Sequence, residues 1–310
     1  MGALVLALNP SIDVEWRVDR VQWEEKNDIC YERRWAGGKG VNVSRWLRYL
    51  RGNPRLLIPL GGLSGKELLG YLREERLPVK VIAILKRSTR VNVIVTTKEG
   101  RQLRFNPAGP ELSGAEWNTI LRETGRLLPR ATCLVLSGSL PQGIGKSAYA
   151  DLIHFAHQTG VKTILDCDGE ALAAAVKARP FLVKPNEHEL ARWQGTPIRS
   201  RAALVRAALA LSGKTGGWVL VSLGRRGGML VNQKLKRKLF ARAPRVEALN
   251  TVGAGDAMVA AVTRQIELRA SPETWLRMGV AVGTAATQCA AGKLPPATMV
   301  ESILRRVEVV

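Results

Sequence analysis

The most pointed chemistry in the chain lies in NTVGAGDAM, residues 250–258. Gly253, Ala254 and Gly255 stand directly before Asp256, with an apolar run behind them. Consecutive small residues at a helix start leave backbone N–H groups open, and those donors together with the helix dipole bind anions. A transferring phosphoryl group is such an anion, and an adjacent Asp256 can accept the proton of an attacking hydroxyl. The same nine residues also read as a glycine turn with a first-turn acid that steadies the helix by about 0.3–1 kcal/mol. Two further stretches pose the same choice. In AGGKGVNV, residues 36–43, glycines open a helix, Lys39 supplies positive charge and Asn42 falls in the first turn. A sugar or phosphate fits there, and so does a plain glycine turn. In KPNEHE, residues 184–189, Asn186 and Glu189 share a helix face. That pair can organise a hydrated Mg²⁺, or can be a helix cap with an acid in its first turn.

The elements that must position these residues alternate. ALVLAL (3–8), RLLIPL (55–60), VKVIAIL (79–85), VNVIVTT (91–97), CLVLSGS, VKTILDCD, FLVKPN and WVLVSLG are apolar or β-branched runs. Helical patterns are interleaved with most of them, including SGKELLGYLREERL (64–77) and SGAEWNTILRETGRLL (113–128), each opened by a capping-box pair, Ser64/Glu67 and Ser113/Glu116. Strand runs that do not alternate suit a parallel sheet covered on both faces, hence a doubly wound α/β fold. Residues 11–35 and the paired runs near 80–106 break the alternation and read as strands outside the main sheet, forming a flap. In open parallel sheets ligands bind beyond the carboxyl ends of strands. Polar groups follow five strands: Asn9 to Asp13, Ser137 to Ser139, Asp166 to Asp168, Lys184 to Asn186, and Ser222 to Gly224.

The 310 residues are 46% hydrophobic and 24% charged, ordinary for a globular chain. The four cysteines form no CxxC pair and read as reduced residues of a cytoplasmic protein. The opening MGALVLALNPSID reads as a first strand and not a signal peptide. No apolar run approaches the roughly 20 residues that span a bilayer. The net charge of +21 favours anionic partners. Nucleic acid fits less well, because the charges form no basic tail and aromatics are only 5%.

Several patterns exclude themselves. SGKTGG (212–217) and GIGKS (143–147) lack the first glycine of a Walker loop, and GAGDAM has Met258 where a dinucleotide fingerprint needs glycine. His154 and His157 share a helix face without a third ligand. Asp166 and Asp168 read as one strand face or a turn, with no second pair to support hydrolysis. Ser137 and Ser139 lack a His/Asp framework.

Taken together, these motifs resemble the ribokinase-like PfkB family of sugar kinases over almost the whole chain. AGGKGVNVSRWLRYLRG is similar to the family's N-terminal glycine signature, and LNTVGAGDAMVAA to its C-terminal one. LNPSID (8–13), STRVN (88–92), RFNPAG (104–109), LSGSLPQG (136–143), LVKPNEHEL (182–190) and VSLGRRGG (221–228) resemble its phosphosugar branch: 1-phosphofructokinase, tagatose-6-phosphate kinase and the minor 6-phosphofructokinase.

The resemblance implies one kinase domain over 1–310 with a mostly parallel sheet flanked by helices. A small β-sheet lid, formed by about 11–35 and 87–108, would close over the sugar and form a homodimer contact. It implies ATP, Mg²⁺ and a monovalent cation, K⁺, bound near AATQCAAG (285–292). Asp256 would be the base, and the backbone of Gly253, Ala254 and Gly255 the anion hole. Asp13, Asn42 and the Gly38–Gly40 backbone would hold sugar hydroxyls. Lys39, Arg90 and Arg104 would bind the substrate's own phosphate, with Lys26 and Ser139 nearby. Lys184, Asn186, Ser222 and Gly224 would face ATP, and Asn186 and Glu189 would organise Mg²⁺ through water. The activity implied is ATP-dependent phosphorylation of a ketohexose monophosphate, foremost fructose 1-phosphate to fructose 1,6-bisphosphate, with tagatose 6-phosphate and fructose 6-phosphate as alternatives. A polyanion-binding protein on a kinase scaffold is the reading from another class, against which Asp256, Asn186 and Glu189 all speak.

Overall fold

The computed structural model describes residues 2–84 and 86–310. The first strand, β1 (Leu4–Leu6), is buried on both sides, with Val5 in one core cluster and Leu4 and Leu6 in the other. The chain then leaves the main sheet as β2 (Ser11–Val18) and returns as β3 (Tyr31–Gly37), which runs into helix α1 (Lys39–Tyr49). Next come β4 (Arg55–Leu60), α2 (Gly62–Glu74), β5 (Val79–Ala83), β6 (Arg90–Thr97), β7 (Gln102–Phe105) and α3 (Gly114–Leu127). The alternation resumes with β8 (Cys133–Ser137), α4 (Ala148–Gln158), β9 (Lys162–Asp166), α5 (Gly169–Lys177), β10 (Leu182–Val183), α6 (Glu187–Gln194), α7 (Arg201–Thr215) and β11 (Trp218–Ser222). Two antiparallel strands follow, β12 (Gly228–Asn232) and β13 (Arg237–Arg242). Helices α8 (Ala254–Glu267), α9 (Pro272–Thr287) and α10 (Ala297–Arg306) and the short β14 (Glu308–Val309) complete the chain.

The main sheet has the order β14-β13-β12-β11-β10-β9-β8-β1-β4-β5. From β5 to β11 every pairing is parallel, and from β11 to β14 every pairing is antiparallel. Buried side chains of α1, α2, α8, α9 and α10 join the core on one face, and those of α3 to α7 join the other. Burial on both faces explains why the parallel strands read as unbroken apolar runs.

Two local expectations change. The Ser113/Glu116 capping box forms, but Ser64/Glu67 does not. Helix α2 starts at Gly62 and is capped by Gly61, three residues before Ser64. Ser64 instead donates to the Thr89 carbonyl at 2.6 Å, and Glu67 takes a two-pronged contact from Arg34 at 2.7 and 3.0 Å. Arginine's fork outbids a reciprocal cap when it reaches the same carboxylate. The run at 79–83 is also no part of a flap, for it pairs in parallel with β4 at the edge of the main sheet. Leu85, the last residue of that expected run, lies outside the described residues.

The small sheet has the order β3-β2-β6-β7, with β2 and β6 parallel. Ser11, Asp13 and Glu15 pair with Arg90, Asn92 and Ile94 on one side, and with Gly37, Trp35 and Arg33 on the other. Arg104 pairs with Ile94. Paired residues share a face and faces alternate along a strand. Asp13, Arg33, Trp35, Arg90, Asn92 and Arg104 therefore stand on one face, while Arg34 on the opposite face reaches α2.

Candidate active site

The site forms where the starts of α1 and α8 meet the ends of β9 and β10. Gly253 caps α8 in the left-handed region at φ 82°, a conformation glycine adopts without strain. That turn opens α8 and carries Asp256 into the interior. Asp256 is only 6% exposed, and Asn42 of α1 donates to its Oδ2 at 2.8 Å. Burial, reinforced by the nearby Asp166 carboxylate, pushes the Asp256 carboxyl up to about 7. The charges of Lys39 and Lys184 and the Asn42 hydrogen bond pull the other way without cancelling the effect. A carboxyl poised near neutrality suits a general base.

Asp166, at the end of β9, is the centre of the charge cluster. Its Oδ1 lies 3.2 Å from Lys39 Nζ and 3.3 Å from Lys184 Nζ. Burial opposes its ionisation, but the two ammonium groups prevail and hold it below the usual carboxylate range. Lys39 answers in kind. Burial disfavours its charge, yet Asp166, Asp256 and Glu189 hold it above the ordinary lysine value. Gly255 brings the backbone close to the other lysine, since a Cβ there would stand 3.4 Å from Lys184 Nζ.

A cleft beside this cluster is lined by Asp13, Trp35, Asn42, Arg45, Gly253 and the 290–293 loop, among others. Asp13 is buried and accepts from Ser11 at 2.7 Å and Asn92 at 2.8 Å. Burial raises its carboxyl despite those bonds and the charges of Arg90 and Arg45. Gly37 is required beside it, because a Cβ there would fall 2.2 Å from the Asp13 carboxyl carbon. Gly38 turns the chain into α1 at φ 93°, and Gly40 packs against Ala7, where a Cβ would come within 2.7 Å.

The remaining expected residues spread along the cleft and beyond it. Arg90 donates to the carbonyls of Pro107 and Asn9, both at 2.9 Å. Ser139 is exposed and accepts from Asn9 at 3.1 Å. Arg104 shares the face of Asp13 but is exposed and bonded to Gln102. Lys26 lies in the exposed loop between β2 and β3, paired with Asp28 at 2.8 Å. Lys39 does not join Arg90; its ammonium belongs to the Asp166 and Asp256 cluster. Ser222 bridges to Asn186 across adjoining strand ends, and Gly224 is exposed just beyond.

Asn186 and Glu189 meet as a reciprocal helix cap. Asn186 Oδ1 accepts from the Glu189 N–H, and Glu189 Oε2 from the Asn186 N–H, each at 2.8 Å. The amide oxygen of Asn186 is thus committed to the cap, while the other carboxylate oxygen of Glu189 stays available. No cluster of three or more His, Cys, Asp or Glu that could hold a metal occurs among the described residues. A sparse oxygen set of this kind fits Mg²⁺, which keeps waters and takes phosphate oxygens as ligands.

The sequence profile of the pfkB family carbohydrate kinases matches residues 11–298. The chain belongs to that family. A 1-phosphofructokinase of Bacillus subtilis is 33% identical over 280 residues, covering 90% of each chain. The ATP-dependent 6-phosphofructokinase isozyme 2 of Escherichia coli is 35% identical over 286 residues, covering 91% of each. The crystal structure of Escherichia coli phosphofructokinase-2 in complex with potassium superposes with a TM-score of 0.90 at 33% identity, covering 99% of this chain and 98% of that one. The protein is thus a ribokinase-like phosphotransferase with an alcohol group as acceptor, and as a carbohydrate kinase it draws on ATP and a divalent metal ion.

For a pfkB-family kinase, two residues of this site were assigned no role from the sequence, Asp166, placed only among the polar groups that follow strands, and Arg45. Asp166 reads as half of an isolated carboxylate pair, yet Asp168 turns out to solvent and pairs with Arg192 at 2.9 Å. The available signal was position: Asp166 ends a parallel strand beside Lys184, which follows the next one. Arg45 sits three residues after Asn42 on α1, on the same face, and is buried. Of the other patterns, SGKTGG closes α7, where Ser212 donates to the Gly217 carbonyl at 2.7 Å. His157 contacts the Arg179 carbonyl at 3.1 Å. Cys133 and Cys167 are buried and Cys30 exposed, and all four cysteines are free. Among the described residues, no helix is long and apolar enough to cross a membrane.

Proposed function

We propose that this chain transfers the terminal phosphoryl group of ATP to the 6-hydroxyl of fructose 1-phosphate, giving fructose 1,6-bisphosphate. The observation that carries the reading is Asp256, buried behind Gly253 at the start of α8 and facing Lys39 and Lys184. A base, backbone donors and two cations converge there, as phosphoryl transfer to a hydroxyl requires. The likeness to 1-phosphofructokinases supports the choice of sugar. Fructose 6-phosphate is the second reading, favoured by the 35% identity to the Escherichia coli isozyme 2.

In this reading Asp256 takes the proton of the sugar hydroxyl. The N–H groups from Gly253 to Asp256, with Lys39 and Lys184, receive the negative charge that develops on the phosphoryl oxygens. Asp13, Asn42 and the backbone at Gly38–Gly40 orient the sugar hydroxyls. Arg90 holds the phosphate already on the substrate, with Arg104, Ser139 and Lys26 at the outer rim, and Arg suits phosphate through its bidentate fork. Ser222 and Gly224 border the nucleotide. Glu189 would hold a hydrated Mg²⁺, whose contribution is to neutralise charge on the nucleotide phosphates.

The small sheet acts as a lid that excludes water, which otherwise competes as acceptor. The reading extends to a homodimer through this lid, where Trp23 is 76% exposed. It extends also to a monovalent cation near residues 285–292, supported by the potassium complex of the Escherichia coli relative. A coupled ADP-release screen over fructose 1-phosphate, fructose 6-phosphate, tagatose 6-phosphate and unphosphorylated sugars tests the function. Fructose 1-phosphate should give the highest kcat/KM, and preference for an unphosphorylated sugar would refute the reading.

A further inference from the structure

Arg45 is buried one turn beyond Asn42, and three neighbours occupy its guanidinium. Glu75, at the end of α2, takes Nε and Nη2 at 2.7 Å each. The carbonyl of Ala36 on β3 takes Nη2 at 2.8 Å. Nη1 donates to Asn42 Oδ1 at 2.9 Å, and Asn42 Nδ2 donates onward to Asp256 Oδ2 at 2.8 Å. The residues form a line, Glu75–Arg45–Asn42–Asp256, drawn from α2, α1 and α8.

A side-chain amide can turn by half a revolution with little change of shape, and its donor and acceptor ends then trade places. A guanidinium removes that choice. It only donates and does not lose its proton, so it tolerates only the amide oxygen beside it. The NH₂ end is left to face Asp256, where a donor favours carboxylate over acid. We propose that Arg45 is a positioning residue for phosphoryl transfer: by fixing the orientation of the Asn42 amide, it keeps Asp256 in the form that can take a proton. The inference rests on Asp256 being the base, as proposed above.

Every charged group facing Asp256 bears on the test. Asp166 at the end of β9 opposes its ionisation, while Lys39 of α1 and Lys184 beyond β10 favour it. With the Asp256 carboxyl near 7, a change in a single partner alters the fraction of active base at neutral pH. Without Arg45 the amide can present its oxygen to Asp256, a contact only the protonated acid can make.

The experiment is the pH dependence of kcat/KM for fructose 1-phosphate between pH 5.5 and 9.5, in the wild type and in Arg45→Met, Arg45→Lys and Asp256→Asn. The substrate's own phosphate titrates identically in every assay, so differences between profiles report on the protein. Arg45→Met should move the acid limb alkaline by about one pH unit, a loss of roughly tenfold near pH 6 that largely recovers by pH 9. Should that variant fail to fold, Arg45→Lys keeps a cation for Glu75 but lacks the fork, and its limb should move the same way by less. A limb at the wild-type position, with a fall in rate equal at every pH, would overturn the inference and leave Arg45 a structural residue. Substantial activity in Asp256→Asn would instead overturn the assignment of the base. An inactive Asp256→Asn beside an unmoved limb overturns the role of Arg45 alone.

Discussion

Lys39 and Lys184 meet at one oxygen of Asp166, from 3.2 and 3.3 Å. Asp166 bridges the two cations, and with Asp256 and Glu189 also near Lys39 the buried ammonium groups are charge-compensated before any anion arrives. Replacing Asp166 by Ala strips the compensation from Lys184, which is 4% exposed. Breaking a buried ion pair from one side costs about 3–5 kcal/mol. Urea denaturation of Asp166→Ala should show a loss of about 3 kcal/mol, and a loss well under 1 kcal/mol would mean that water takes the place of the carboxylate.

Asp256→Asn removes the proposed base without changing its shape. Turnover should fall by about 10²- to 10⁴-fold, while ATP binding, followed by calorimetry, stays near the wild-type value. The wild-type kcat/KM should rise with pH through about 7, where the Asp256 carboxyl ionises. Near-wild-type turnover in the variant would remove Asp256 from the chemistry.

The same substitution carries a prediction of opposite sign for stability. A carboxyl raised from its ordinary value of 3.8 to about 7 on folding binds its proton more tightly in the folded state. Its ionisation therefore costs stability progressively as pH rises between those values, and the cost is complete above about 7. Asp256→Asn should melt higher than wild type at pH 8 by a few °C, with the gain shrinking toward pH 4. An equal or lower Tm at pH 8 would mean that the two lysines need this charge more than burial resists it.

What could be read without coordinates followed from chain-local physics. The doubly wound alternation, the glycines before Asp256 and the Ser113 cap are set by periodicity and neighbours within a few residues. The Asn186–Glu189 spacing was legible too, although its cap consumes the amide oxygen expected to face the metal. Contacts between distant segments were not legible. Arg34 drawing Glu67 out of a cap joins residues 33 apart, and Lys39 reaching Asp166 joins residues 127 apart. Strands β12 and β13 were also missed, since MLVN and KLFAR are short runs around a basic turn with no helix between them.

Arg90 offers a test of substrate recognition. Its guanidinium is held by two carbonyls on the face shared with Asp13. A charged hydrogen bond contributes about 1.5–3 kcal/mol. Arg90→Ala should therefore raise the KM for the phosphosugar by roughly 10- to 100-fold while leaving the KM for ATP within about twofold. Equal rises in both would assign Arg90 to holding the 107–109 segment and not to the substrate.

The hairpin of β2 and β3 leaves the main sheet just after β1 and runs at Gly38 into α1, directly before Lys39. Its two points of attachment are themselves parts of the cleft, whereas its far end at residues 19–30 packs against little. Evolution can lengthen, shorten or redecorate such an appendage without touching a single strand of the parallel sheet. The residues gathered around Asp166 and Asp256 sit on α1, α8 and the ends of β9 and β10, so their placement does not depend on the length of that appendage.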